Sequence, residues 1–204
     1  FASAIVQAGG KVVVSARRED RLKDLVAELG ADNASYVVCD VGDHQSLPEM
    51  AMQISNVFGA PDIVVNVAGN TVRKQAEDLT PQEFLDVIKV QLMAPLHVAQ
   101  QFVPGMKEKG WGRIINIGSI TTSHALPGTT AYAACKSGVA GLTRAMAKDW
   151  GPFGITVNAI CPGFFATELT APVVADEKRW RGNAERTFIG RNGVTEDMHG
   201  ALVM

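Results

Sequence analysis

Two hydrophobic periods take turns along this chain. Lys11–Ala16 (KVVVSA) is a β-branched run that predicts a buried strand. Glu19–Leu29 then places Leu22, Leu25, Val26 and Leu29 at helical spacing, with Gly30 positioned to stop the helix. Ala34–Cys39 predicts a second strand, Asp43–Phe58 a second helix and Pro61–Val67 (PDIVVNV) a third strand. Thr80-Pro81-Gln82-Glu83 reads as a capped helix start, with Thr80 as N-cap, proline in the first turn and Glu83 reaching back. That helix is expected to run to about Lys109. Strands at Ile114–Ile117 and Ile155–Ile160 flank a helix over Thr129–Trp150, and a last helix opens near Thr195. Strands apolar on both faces, alternating with helices, predict an α/β fold: a doubly wound parallel sheet in three α/β/α layers.

The ends break this rhythm. Phe1–Gly10 reads as the last turns of a helix and its glycine stop, and Thr195–Met204 as a helix cut short. The expectation is a single domain over 1–204, truncated at both ends.

Composition narrows the function classes. With 47% apolar and 20% charged residues, a chain of 204 fits one globular domain with a sizeable core. A net charge of −2 without a basic block argues against nucleic acid or an anionic membrane as partner. No apolar run reaches the roughly 18 residues needed to span a bilayer. Cys39, Cys135 and Cys161 form no C-x-x-C or His/Cys cluster, so no metal is expected and a reduced, cytoplasmic setting is.

Candidate chemistry gathers at the carboxyl ends of the predicted strands, where ligands bind in open α/β sheets. Arg17 and Arg18 follow the first strand, Asp40 and Val41 the second, Asn66-Val67-Ala68-Gly69 the third, Ser119 the fourth, and Pro162-Gly163 the fifth. Tyr132 and Lys136 stand at i and i+4 of a helix, on one face and about a turn apart. A phenol titrates near 10, and a neighbouring ammonium lowers that value towards the useful range. With the Ser119 hydroxyl to hold an oxygen, such a group suits proton transfer to or from a substrate alcohol or carbonyl.

Taken together, these motifs resemble the short-chain dehydrogenase/reductase family over essentially the whole chain. The likeness rests on Asn66-Val67-Ala68-Gly69, Ser119, Tyr132-Ala-Ala-Cys-Lys136, and Asn158 ahead of Pro162-Gly163 and Thr167. The resemblance implies a Rossmann-like fold and hydride transfer between a nicotinamide and a secondary alcohol or ketone. It implies Tyr132 as general acid/base, Lys136 on the nicotinamide ribose and depressing the tyrosine, and Ser119 orienting the substrate oxygen. It places Asp40 and Val41 at the adenine, Asn66, Ala68 and Gly69 along the adenine ribose, and Pro162, Gly163, Phe165 and Thr167 at the carboxamide. Ala16-Arg17 stands where NAD-selective members carry an acid. Arg17 can pair with a 2′-phosphate, so NADP(H) is favoured and NAD(H) remains open.

Some features depart from the family pattern. Its glycine-rich phosphate loop would precede Phe1, and so would a strand expected between those of Val12–Val14 and Ile63–Val65; a further strand would follow Met204. The family's relay asparagine aligns with Gln91, one methylene longer, which implies an altered relay. His124 stands in a loop near the cleft.

Asn70-Thr-Val-Arg73-Lys74, GFFATELTAPVVAD (Gly163–Asp176) and RTFIGR (Arg186–Arg191) are similar to gluconate 5-dehydrogenases within the family. That likeness implies a sugar acid as substrate, its carboxylate facing Arg73. The alternative enzyme is a 3-oxoacyl-carrier-protein reductase. A non-catalytic nucleotide-binding protein is the alternative of another class, and the intact Ser119, Tyr132 and Lys136 argue against it. The family's habit implies a homo-oligomer, tetramer or dimer, through the helices at Thr80–Lys109 and Thr129–Trp150.

Overall fold

The computed structural model describes residues 1–203. Strand and helix alternate as the periodicity predicts: α1 (Ala2–Gln7), β1 (Val12–Ala16), α2 (Glu19–Leu29), β2 (Ala34–Val38), α3 (Leu47–Phe58) and β3 (Ile63–Asn66). There follow α4 (Pro81–Ile88), α5 (Ala94–Lys109), β4 (Gly112–Ile117), α6 (Thr130–Trp150) and β5 (Ile155–Ile160). Short helices α7 (Ala171–Val174), α8 (Glu177–Ala184) and α9 (His199–Val203) complete the described chain. Gly30 ends α2 with φ 84°, a conformation that a residue with a β-carbon avoids. Thr80 and Glu83 form the expected reciprocal cap of α4.

All strand pairs are parallel, yet they do not make one sheet. β1 pairs with β2, and β3, β4 and β5 pair in that order. β1 and β3 face one another across a cavity of about 640 Å³, with Val12–Ser15 on one wall and Ile63–Asn66 on the other. Hence the two facing edges carry backbone groups that no neighbouring strand satisfies. β5 is an edge as well, and Thr156 and Asn158 are exposed, so its outer face is not covered as predicted.

The main core lies between the sheets and α3, α5 and α6. Val37, Val64, Ile114, Ile155 and Val157 from the strands meet Leu47, Met50 and Ile54 of α3, Phe102 and Met106 of α5, and Met146 of α6. Fully burying one such aliphatic side chain contributes about 1.5–3 kcal/mol. Two helix boundaries differ from the pattern reading. Asp43–Ser46 is a turn closed by its own side chains, so α3 starts at Leu47. The helix predicted from Thr80 to Lys109 is interrupted by a π-helical turn at Lys89–Met93. Pro95 accounts for the interruption: it has no N–H to give to the carbonyl of Gln91 four residues earlier. The stretch Phe164–Arg186, to which the periodicity assigns no element, contains α7 and α8.

Candidate active site

β4 delivers Ser119 and α6 delivers Tyr132 and Lys136. Gly118 and Ser119 follow directly on the last residue of β4, and the Ser119 hydroxyl accepts from the Thr121 backbone N–H at 3.1 Å, which fixes its side chain. Tyr132 stands one turn into α6 and is part-buried. Ser119 and Tyr132 line one cavity of about 390 Å³, with Gly69, Pro162, Gly163, Phe165 and Thr167. A β-carbon at Gly163 would meet nothing within 4 Å, so the backbone there borders open space able to take a flat ring.

Lys136 lies beneath this cavity, 5% exposed. Its ammonium donates to the Ile117 carbonyl at 2.5 Å and sits 5.5 Å from the Tyr132 ring centroid. Burial pulls its pKa down to about 8. The expectation that Lys136 depresses Tyr132 is not met in this arrangement. Desolvation dominates and pushes the phenol above its ordinary value, while the nearby Ser119 hydroxyl and the charge of Arg73 act in the opposite direction. Arg73 is therefore within electrostatic reach of the Tyr132 hydroxyl. It is exposed and, among the described residues, forms no salt bridge.

The remaining sequence candidates divide between two places. Val41, Asn66 and Ala68 line the cavity between β1 and β3. Arg17 pairs with Asp40 at 3.6 Å, and Asp40 also accepts from the Gly42 backbone N–H at 2.9 Å. Neither residue lines either cavity. The amide of Asn66 points inward, donating to Asn116 at 2.9 Å and to the Pro95 carbonyl at 3.2 Å. Asn116, fully buried, passes the chain on to Thr143 at 2.9 Å. Sequence reasoning missed Asn116 and Thr143; the signal was a single polar residue inside the apolar run Ile114–Ile117.

Gln91 is 2% exposed, and its amide donates to the Asn70 carbonyl at 2.5 Å. Its Oε1 has no partner, and neither has Oδ1 of Asn70. His124 pairs with its neighbour Ser123 at 3.0 Å and does not line the cavity. No three His, Cys, Asp or Glu residues gather as a metal site, and no helix is long and apolar enough to cross a membrane, among the described residues.

Known proteins share this chain's sequence pattern and fold. The profile of the short chain dehydrogenase family matches residues 1–178. The chain is 34% identical to a gluconate 5-dehydrogenase of Gluconobacter oxydans, an alignment covering 100% of this chain and 80% of that protein. It is 35% identical to a 3-oxoacyl-[acyl-carrier-protein] reductase of Haemophilus influenzae, over 99% of this chain and 82% of the other. A crystal structure of a gluconate 5-dehydrogenase from Burkholderia cenocepacia, in complex with NADP and tartrate, superposes with a TM-score of 0.93. It is 32% identical, over 99% of this chain and 80% of that one. Sequence and Rossmann-like fold agree: the chain belongs to the short-chain dehydrogenase family, NAD(P)-dependent oxidoreductases that act on CH–OH groups.

Proposed function

We propose that the enzyme interconverts the secondary alcohol and the ketone of a small sugar acid such as gluconate, with NADP(H) as the favoured cofactor and NAD(H) as the second choice. Arg73 carries this reading. Its guanidinium acts on the Tyr132 hydroxyl from outside the cavity wall and has no acidic partner among the described residues. A substrate carboxylate would find a two-pronged donor there while its carbinol reaches Tyr132. The similarity to gluconate 5-dehydrogenases, one of them bound to NADP and tartrate, supports it.

The cavity suits the nicotinamide half of the cofactor, since open space beside Gly163 lies next to Tyr132 and the Pro162–Thr167 loop. Tyr132, Lys136, Pro162, Gly163, Phe165 and Thr167 would hold that half. Arg17, Asp40, Val41, Asn66, Ala68 and Gly69 would serve the adenosine half. When bound, the nicotinamide accepts or supplies the hydride. Tyr132 moves the proton on the substrate oxygen and Ser119 holds that oxygen. The buried Lys136 ammonium keeps a positive charge beneath the pair. Gln91 acts on the site through the loop it holds at Asn70.

A homo-oligomeric assembly in the cytoplasm, tetramer or dimer, belongs to the same proposal. Leu85 of α4 and Met93 of the π turn leave apolar surface exposed on the helices concerned.

The test sets gluconate with NADP⁺ against an acetoacetyl thioester with NADPH, for the native chain and Arg73→Met. A charge-assisted hydrogen bond contributes about 1.5–3 kcal/mol, so Arg73→Met should raise KM for the sugar acid roughly ten- to a hundredfold. An uncharged polyol should be little affected. Turnover of the thioester without turnover of any sugar acid would replace this reading with that of an oxoacyl reductase.

A further inference from the structure

A long-range ion pair joins the exit of β1 to the loop beyond β5. Arg18 donates through both terminal nitrogens to the Glu168 carboxylate, at 2.7 and 3.3 Å. Arg21, a turn along α2, approaches the same carboxylate at 4.0 Å and Asp20 at an equal distance. Glu168 does not hang on a loose loop. It follows Thr167 in a short 3-10 turn in which the Thr170 hydroxyl donates to the Phe165 carbonyl at 2.5 Å. The same hydroxyl accepts from the Thr167 N–H at 2.9 Å. Thr167, Leu169 and Thr170 line the active-site cavity. The carboxylate thus ties the cavity rim to guanidinium groups at the strand end where a dinucleotide's adenosine would lie. The pair draws the Glu168 pKa down through its hydrogen bond and charge, so the carboxylate is ionised at neutral pH.

We propose that Glu168 determines cofactor specificity as an internal stand-in for phosphate: it occupies the guanidinium fork of Arg18, and a 2′-phosphorylated cofactor binds by displacing it. This rests on the preference for NADP(H) proposed above. A phosphomonoester carries up to two negative charges and three acceptor oxygens. It therefore outcompetes one carboxylate for a planar two-pronged donor. A cofactor lacking the 2′-phosphate leaves the pair intact. Displacement also releases the turn carrying Thr167, so occupancy of the adenosine end is felt at the cavity rim.

Calorimetric titration with adenosine 2′,5′-bisphosphate and with adenosine 5′-monophosphate tests the idea without turnover. Removing the competitor in Glu168→Gln should tighten the bisphosphate about two- to fivefold, the range set by an exposed carboxylate–guanidinium pair. Affinity for the monophosphate should not change. In Arg18→Met the bisphosphate should weaken, and adding Glu168→Gln to it should have no further effect. Amide exchange at Thr167–Thr170 in the native chain should quicken with the bisphosphate and not with the monophosphate. If Glu168→Gln leaves the bisphosphate unchanged, or shifts both nucleotides alike, the stand-in role is wrong while a native preference for the bisphosphate upholds the cofactor reading. A native chain that favours neither nucleotide overturns both.

Discussion

The side-chain amide of Gln91 donates to the backbone carbonyl of Asn70 at 2.5 Å, joining the π-helical turn to the loop that carries Gly69. The fit is close: a β-carbon at Gly69 would stand 2.9 Å from the Gln91 amide nitrogen. Gln91→Leu leaves the Asn70 carbonyl unpaired, which costs about 1–3 kcal/mol, but also removes the buried Oε1 that already lacks a partner. These effects oppose each other. Thermal unfolding should therefore show a loss of no more than about 1–2 kcal/mol, while KM for the cofactor rises as the 68–70 loop shifts. A large stability loss with unchanged KM would make Gln91 a core residue and nothing more.

Tyr132→Phe keeps the ring and removes the oxygen that handles the proton. General acid–base catalysis contributes roughly 10²–10⁴-fold, and turnover should fall by at least the lower figure. Because the ring packing is retained, the melting temperature should hardly move. Near-native turnover in the Phe variant would take Tyr132 out of the mechanism.

Stability should rise with pH on account of Lys136. Its pKa falls from the ordinary lysine value, near 10.4, to about 8 in the folded protein. Between these values the unfolded chain holds a proton that the folded chain has released, so folding gains as pH increases. The full gain is on the order of 3 kcal/mol at 1.36 kcal/mol per pKa unit. Above about pH 10, Tyr132 works the other way: the unfolded phenol ionises first because the folded one is raised. Urea midpoints of the native chain and Lys136→Met at pH 7 and 9.5 check this. The native chain should gain on the variant between them, and parallel curves would contradict the burial argument.

An apolar strand supplied ahead of Phe1 by a short linker should enter the slot between β1 and β3. It would pair on both sides, satisfying two rows of backbone groups and covering Val13, Ile63 and Val67. A few hundred Å² of apolar surface removed from water contributes roughly 5–10 kcal/mol, comparable with the net stability of a whole domain, about 5–15 kcal/mol. The chain of 204 residues should aggregate more readily and melt over a broader range than the extended chain, which should melt more sharply. Sharp melting of the unextended chain would show that the slot costs little.

The strands were legible because their β-branched runs are short, apolar and bounded by turns, and the cap of α4 because Thr80 and Glu83 carry it locally. The placing of Tyr132 and Lys136 on one helix was legible through their spacing. Other features depend on more than spacing. The π turn arises because Pro95 withholds a donor from a residue a turn earlier, which no apolar period records. α7 and α8 were missed because Phe164–Arg186 has no sustained helical stripe. The direction of the Tyr132 shift was misjudged since burial, invisible in a motif, outweighs the neighbouring groups that favour the phenolate. The pairing of Glu168 with Arg18 spans almost the whole chain, and nothing local announces it.

The division between β1 and β3 also sets how the molecule assembles and opens. Each ladder is drawn from one contiguous stretch: β1 and β2 lie within residues 12–38, and β3 to β5 within 63–160. No backbone pairing joins the two ladders among the described residues, so each can form or fray as its own cooperative unit, coupled to the other by helix packing and by the Arg18–Glu168 ion pair. β4, bonded on both sides and carrying the fully buried Ile114 and Asn116, belongs to the slowest-exchanging amides. β1, bonded on one side, belongs to a unit that can open first. Ser119 stands on the slow unit, while the arginines beyond β1 ride on the fast one, so the adenosine end can loosen while the ladder behind Ser119 stays paired, with the Arg18–Glu168 pair carrying the change to the cavity rim.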